Sequence, residues 1–448
     1  MLKIPELLKA TRGKLTSGDN SVSVKGVSID SREIKKGEAF IAIKGNNFDG
    51  HNFINMAIKK GASCIITEKE IKGTDGIAVI KVKDTIRALG AVARFKREKY
   101  NLPVIAVTGS NGKTATKDMI AWILSKDFKV LKNEGTKNNH IGLPLTLLKL
   151  DSSYDIAVLE IGTNHFGEVK YLSDIACANI GIITNIGPAH LQYFKNLKGV
   201  FKEKHDLLRS LKAPAIAILN ADDPYLRKGL LKKNSKPFAV GVGIKNKSDF
   251  FASSINDVFG KYSFRMNQRF KFALNAPGYY NIYNSLMAIA VARIFGMEYR
   301  AIALRLSKFN PPKGRLNFIE IKKIKFIDDT YNSNPLSLRQ ALGLLGKIKT
   351  KGRKIVVMGD MLELGAASKS LHIRAIKEAV KICDALITVG GISGSSLKET
   401  CLKREGVFVC RDSLEARDIL FKKVNVKPID IVLVKGSRQM KMEEVFNF

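Results

Sequence analysis

Lys113 and Thr114 stand at the end of Gly109-Ser110-Asn111-Gly112, directly after the apolar run Val104-Ile105-Ala106-Val107. They precede a stretch with Met119, Ile120, Ile123 and Leu124 at helical spacing. A buried strand, a glycine-bearing turn and a helix together present backbone N–H groups and a helix N-terminus to phosphate. In such a loop the lysine reaches terminal phosphates and the threonine hydroxyl holds Mg²⁺. The common phosphate-loop pattern wants a further glycine where this chain has Val107, so the loop is a tighter variant. Its competing reading is a plain strand-to-helix turn. A nucleoside triphosphate is the ligand this stretch predicts.

Glu160, His190 and Asp222 each fall at or just after the end of another short apolar run, at 156–159, 180–183 and 215–219. Ligands of parallel α/β sheets sit beyond the carboxyl ends of the strands, so all three are expected on the edge that carries the loop. A carboxylate buried there needs a cation or hydrogen-bond donors. Mg²⁺ shared by Thr114, Glu160 and nucleotide oxygens meets that need. Imidazole is a less usual ligand for so hard a cation, and His190 taken alone reads as a hydrogen-bonded histidine. Asn281 and Asn284, on one face of a helix start, could read a base or ribose, with capping the competing role for Asn281. Lys202, Glu203 and Lys204 by themselves read as a solvated helix face. Ser31 and Arg32 could meet a phosphate or sugar, and a surface salt bridge is the competing reading for Arg32. The run Asp328-Asp329-Thr330-Tyr331-Asn332-Ser333-Asn334-Pro335 is polar enough to be a loop or a site.

The elements that must position these residues divide into three units, and the fold class expected is α/β. Residues 1–99 read as a small α/β domain, with a strand at 40–43 and a helix face built from Phe53, Met56 and Ala57. Residues 100–311 alternate short continuous apolar runs with helices, the pattern of a parallel sheet covered on both faces. Residues 312–448 repeat strand-then-glycine units at 355–358, 386–389 and 431–434, a Rossmann-like arrangement without a GxGxxG fingerprint.

A chain of 448 residues with 45% hydrophobic content has ample core for this. No apolar run approaches the ~18 residues of a membrane span. The N-terminus places an acid and a proline where a signal peptide would be apolar. Five scattered cysteines lack metal-ligand spacing. A reduced, cytoplasmic protein without stable membrane insertion is therefore expected. The net charge of +34 would suit nucleic acid. The lysines, however, are spread along the whole chain and not gathered into one basic, aromatic-interleaved block, so no nucleic-acid partner is expected.

Taken together, these motifs resemble the Mur ligase family over nearly the whole chain. Asp30-Ser31-Arg32, Gly37-Glu38-Ala39-Phe40, Lys44-Gly45 and Asp49-Gly50-His51 are similar to its UDP-sugar-binding domain. Residues 108–114 are similar to its short phosphate loop, which accounts for Val107. The stretches 160–168, 184–191, 329–335, 359–365 and 435–438 are similar to the branch that adds D-alanyl-D-alanine. The resemblance implies an ATP-dependent ligase joining D-alanyl-D-alanine to UDP-N-acetylmuramoyl-tripeptide (UDP-MurNAc-tripeptide) through an acyl phosphate, acting as a monomer. It implies a UDP-sugar domain at 1–99, an ATP domain at 100–311, and a domain at 312–448 that closes over ATP and binds the dipeptide.

The resemblance also makes Thr114, Glu160, His190 and Lys204 the ligands of Mg²⁺, of which two ions are expected. Lys204 would be carried as a carbamate, with Lys202 the nearby competitor. Lys113, His190 and Lys204 become the catalytic residues. Gly109, Ser110, Asn111, Gly112, Lys113, Thr114, Ala115, Asn281, Asn284, Arg315 and Asp329 match positions around ATP. Ser31, Arg32, Asn138, Asn139, Tyr331, Asn332 and Asn334 match positions around the other substrates. The chain departs from the family at Tyr280, where histidine is usual, and at Ala115, where threonine is. Thr136, Lys137 and His140 also differ, in a stretch that bears on peptide fit. Two other readings stand beside this one: a Mur-type ligase with another peptide substrate, and a basic P-loop NTPase working on nucleic acid.

Overall fold

The computed structural model describes residues 1–447 except 46, 72, 73, 75, 231–235, 259, 402 and 403. Three α/β units follow one another, each built on its own sheet. The first sheet runs Lys14–Ser17, Ala78–Lys81, Cys64–Thr67, Ala39–Ile41 and Val27–Ser28, parallel except at its first pairing. The strand expected at 40–43 is Ala39–Ile41, with every side chain buried. The expected helix face keeps Ala57 but not Met56, which is exposed, and Ile54 takes its place. Helix Thr85–Glu98 joins this unit to the next. Leu89, Val92 and Ala93 share one apolar cluster with Ile4 and Leu7 and with Leu143, Leu147 and Leu172 of the central unit. Hinging at residue 99 would expose that shared core to water, which burial of apolar surface opposes.

The central sheet has the order Phe270–Ala273, Lys261–Met266, Phe250–Val258, Phe238–Gly243, Ile216–Asn220, Ile180–Ile183, Val104–Thr108, Ile156–Glu160 and Val130–Lys132. From Phe250–Val258 to Val130–Lys132 all neighbours are parallel, as the continuous apolar runs predict. The strands at the other end pair antiparallel, which the expectation of a parallel sheet does not include. Their signal is different: Tyr262, Phe264 and Met266 alternate with less buried neighbours, the mark of a sheet with one wet face.

Helix Tyr280–Ile294 is buried almost all round and packs on Lys113–Leu124. The third sheet runs Asn317–Ile321, Ile324–Asp329, Ile431–Lys435, Lys354–Gly359, Ala385–Val389 and Val407–Cys410, with only the first pair antiparallel. Among the described residues, no helix is long and apolar enough to cross a membrane.

Register fixes the site. Strand Val104–Thr108 lies between Ile156–Glu160 and Ile180–Ile183, with Glu160 opposite Val107 and Ile183 opposite Thr108. Glu160, Gly109 and Thr184 therefore emerge at one edge.

Candidate active site

The loop leaves its strand at Gly109, where φ is +145° and a Cβ would lie 1.9 Å from Thr184 Oγ1. Only glycine fits there. The segment from Thr184 to Gly187 clamps the loop from the neighbouring strand. Asn111 N–H donates to Asn185 Oδ1 at 3.1 Å. Ser110 Oγ donates to Gly187 O at 3.0 Å and accepts from Gly187 N–H at 2.9 Å. Lys113 opens helix Lys113–Leu124, whose first-turn N–H groups have no intrahelical acceptor. Its ammonium folds back onto Gly109 O at 2.8 Å. Burial pulls the Lys113 pKa down; Glu160 opposes this and Arg315 adds to it.

Glu160 is 2% exposed. Asn133 clamps its backbone, and Asn138 Nδ2 donates to Oε1 at 2.8 Å. Oε2 is buried without a hydrogen-bond partner among the described residues. A buried carboxylate oxygen of this kind is stabilised by a cation, so the residue fits Mg²⁺. No group of three His, Cys, Asp or Glu side chains converges among the described residues. A cation here would lean on hydroxyl and phosphate oxygens, as magnesium does.

His190 sits at φ +52°, with Nδ1 2.5 Å from Glu363 Oε2. With the proton on Nδ1, Nε2 is the nitrogen free for a ligand. Burial pulls the imidazole toward neutrality, with Glu363 opposing and Lys204 contributing.

Lys204 lies on helix Leu197–Arg209, on the stripe formed by Val200, Glu203, Lys204 and Leu207, and is 1% exposed. Its ammonium has no hydrogen bond or ion pair among the described residues. Burial and then the Lys113 charge hold its pKa well below the lysine value. Lys202 is exposed, over the Phe166 ring. The solvated-face reading fails for Glu203 too: its carboxylate accepts from Gly167 N–H and Val169 N–H, capping helix Glu168–Ala176.

The opposite wall comes from the C-terminal unit. Arg315 Nη2 donates to Thr114 Oγ1 at 3.2 Å, and the guanidinium stacks 3.7 Å over Tyr331. Asp329 and Lys435, in register on adjacent strands, pair at 2.5 Å, and Lys435 also donates to Asn332 O. Burial pushes the Asp329 carboxyl up while Lys435 opposes it.

Asn334 and Asn111 exchange amide hydrogen bonds at 2.7 and 3.3 Å. Asn334 Oδ1 also accepts from Ser337 N–H, capping helix Pro335–Lys347. Asn334→Ala is accordingly expected to cost about 1 kcal/mol from the cap alone. A urea titration that leaves the C-terminal unit's stability unchanged would remove that role.

Between the walls lies a cavity of about 340 Å³. The loop from Ser110 to Ala115, Asn138, Glu160, His190, Asn281, Asn284, Arg315, Asp329, Tyr331, Asn332 and Asn334 all line it, as does Tyr280. Asn281 and Asn284 share a face as expected, and they also bond each other: Asn284 Nδ2 donates to Asn281 Oδ1, and Thr116 Oγ1 donates to Asn284 Oδ1.

Other residues lie elsewhere. Asn139 Oδ1 caps Ile141 and Gly142 N–H groups. Ser31 and Arg32 belong to the first unit, where Arg32 makes the surface salt bridge with Asp30 and Ser31 Oγ contacts Met56 Sδ. Asp222 does not join the site, because the N–H groups of Ile244, Lys245 and Asn246 and the Tyr283 hydroxyl occupy its carboxylate. Glu363 and Lys435 received no role from the sequence. For Lys435 the signal was present: a lysine ends a buried parallel strand beside the one that ends in Asp329.

Comparison with known proteins agrees with this architecture along the chain. Residues 23–97 match the model "Mur ligase family, catalytic domain", 107–292 "Mur ligase middle domain", and 314–438 "Mur ligase, glutamate ligase domain". The UDP-N-acetylmuramoyl-tripeptide–D-alanyl-D-alanine ligase of Bacillus subtilis is 33% identical over 427 residues, covering 94% of this chain and 92% of that one. Its Escherichia coli counterpart is 32% identical over 449 residues, with 99% and 97% covered. The crystal structure of MurF from Acinetobacter baumannii matches with a TM-score of 0.90 at 32% identity, covering 99% and 97%. MurF from Thermotoga maritima in complex with ADP matches at 0.82 and 27% identity, covering 94% and 96%. Similarity at this level runs through all three units and both walls of the cavity, and the chain belongs to the Mur ligase family.

Proposed function

We propose that this protein is an ATP-dependent ligase that joins D-alanyl-D-alanine to UDP-MurNAc-tripeptide, releasing ADP and phosphate. The observation that carries the reading is the buried Glu160 oxygen, without a hydrogen-bond partner among the described residues, beside a phosphate loop in a chain whose full-length relatives bear the name of that activity. The loop from Gly109 to Ala115 and the start of helix Lys113–Leu124 would receive the ATP phosphates. Asn281, Asn284, Arg315 and Asp329 would surround the rest of the nucleotide.

Mg²⁺, held by Thr114, Glu160, His190 and Lys204, would supply charge neutralisation for phosphoryl transfer. Burial lowers the Lys204 pKa and so favours the neutral, nucleophilic amine, to which addition of CO₂ with loss of a proton would give a carbamate.

In the reaction, the γ-phosphoryl group passes to the tripeptide's terminal carboxylate, giving an acyl phosphate and ADP. The dipeptide amine then attacks the carbonyl carbon. A C–N bond forms, the tetrahedral intermediate expels phosphate, and the amine gives up its proton. Lys113 would leave Gly109 O and offset charge on the transferring group. The Asn111–Asn334 and Arg315–Thr114 contacts join the C-terminal domain to the loop, and closure there would exclude water that hydrolyses the acyl phosphate.

Residues 1–99, with Ser31 and Arg32, would hold the UDP-sugar end. Asn138, Asn139, Tyr331, Asn332 and Asn334 would serve the peptide end, with residues 312–448 receiving the dipeptide. The protein would work as a cytoplasmic monomer without a nucleic-acid partner. Phosphate release from ATP should require UDP-MurNAc-tripeptide and D-alanyl-D-alanine together. Release that answers to DNA or RNA and ignores both substrates would replace this reading with the nucleic-acid NTPase.

A further inference from the structure

We infer that Glu363 is a positioning residue that completes the His190 ligand only when the C-terminal domain rests on the central one, so that cation binding and domain closure are linked. The inference builds on the reading of His190 as a Mg²⁺ ligand.

Glu363 lies between strand Lys354–Gly359 and helix Ser368–Ala379 of the C-terminal domain. Its side chain crosses the domain boundary to His190 Nδ1 at 2.5 Å, and its carbonyl accepts from Gln192 N–H at 3.0 Å. Gly365, two residues on, comes so near that a Cβ would sit 3.0 Å from Gln192 Cα. Glu363 adopts φ +63° and His190 φ +52°, left-handed conformations that non-glycine residues rarely take. Such backbones persist where the surroundings over-determine them, often at functional sites.

The segment is fixed from behind within its own domain. Met361 N–H donates to His372 Nε2 at 2.9 Å, and Leu362 N–H to Ser437 Oγ at 2.9 Å. Met361 and Leu364 are buried. A rigid loop thus brings one carboxylate to one imidazole.

A carboxylate on the far nitrogen of a ligating histidine fixes its tautomer and ring orientation and raises its basicity. Here that carboxylate belongs to a different domain from the histidine and from Glu160 and Thr114. Separating the domains would leave the ring unoriented. If closure strengthens cation binding, cation binding must favour closure by the same factor.

The test uses the full chain with a non-hydrolysable ATP analogue and Mn²⁺ as the probe. Free Mn²⁺ is counted by electron paramagnetic resonance, and compaction is followed by small-angle X-ray scattering. Glu363→Ala should weaken Mn²⁺ binding about 10-fold or more and abolish the Mn²⁺-dependent compaction of the native protein. Glu363→Gln, which keeps an acceptor oxygen, should recover most of both. His190→Ala is the reference. If His190→Ala loses Mn²⁺ affinity and Glu363→Ala does not, the inference is overturned while the ligand reading stands. If neither variant changes it, the ligand reading fails and takes the inference with it. A loss in Glu363→Ala that Glu363→Gln does not recover would assign the effect to charge and not to an orienting hydrogen bond, which also overturns it.

Discussion

Lys113→Ala lowers turnover by roughly 10²–10³-fold or more, with a much smaller loss of ADP binding. The expectation follows from where the ammonium is and what surrounds it. Lys113 starts the helix that faces the cavity, and its side chain is held back by carbonyls of its own loop, Gly109 O at 2.8 Å and Ser110 O at 3.4 Å. Burial already disfavours its charge, so an incoming phosphoryl group gains a cation held in a water-poor site. ADP keeps the loop amides and helix N-terminus in the variant, which is why binding falls less than the rate.

No other side chain replaces Lys113. The other lysine and arginine side chains lining the cavity are engaged: Arg315 with Thr114 and stacked on Tyr331, Lys435 with Asp329, and Arg438 with Glu443. Lys113→Arg should stay impaired as well, because a planar guanidinium does not reproduce a compact point charge. Single-turnover formation of the acyl phosphate, with ADP affinity measured in parallel, checks this. Near-normal turnover in Lys113→Ala would remove the ligase assignment.

The parts of this site that were legible in the sequence are those that local pattern determines. Strand, loop and helix around Lys113 follow from one apolar run and one amphipathic stretch, and the strand ends at Glu160 and Ile183 follow from the same signal. Strand-end position alone did not settle side-chain direction. Asp222 ends up capping the turn at 244–246, where three backbone N–H groups donate to its carboxylate.

Contacts between domains were the least legible. Asn111 with Asn334 and His190 with Glu363 join residues far apart in the chain, and no periodicity encodes such pairs. The antiparallel end of the central sheet was missed for a different reason, since alternating burial carries a weaker apolar signal than a continuous run. Which of Lys202 and Lys204 is buried was legible in the sequence. Val200, Lys204 and Leu207 recur at helical spacing on one face, and Lys202 lies off it.

The same buried stripe leads to the second large effect: Lys204→Ala should lose about 10²-fold or more in turnover, and short carboxylates such as acetate should restore part of it. Two opposite consequences of burial make this test selective. A lone amine in the interior is a stability burden, since desolvation favours its neutral form and Lys113 repels its charged form. Its folded pKa lies below the unfolded lysine value of about 10.4. Between those two values the unfolded chain binds more protons, so this group makes stability rise with pH across that window.

Lys204→Met removes the burden. In CO₂-depleted buffer it should leave the free protein at least as stable as the native one and flatten the alkaline rise, while activity still collapses. A purely structural lysine would behave in the opposite way, with stability and activity falling together. Rescue separates the remaining cases. If the amine serves as a carbamate, what Lys204→Ala lacks is an anion, and a carboxylate diffusing into the vacated space supplies one. If it serves as an ammonium, small amines rescue and carboxylates do not. Full activity in Lys204→Ala would take the residue out of the mechanism altogether.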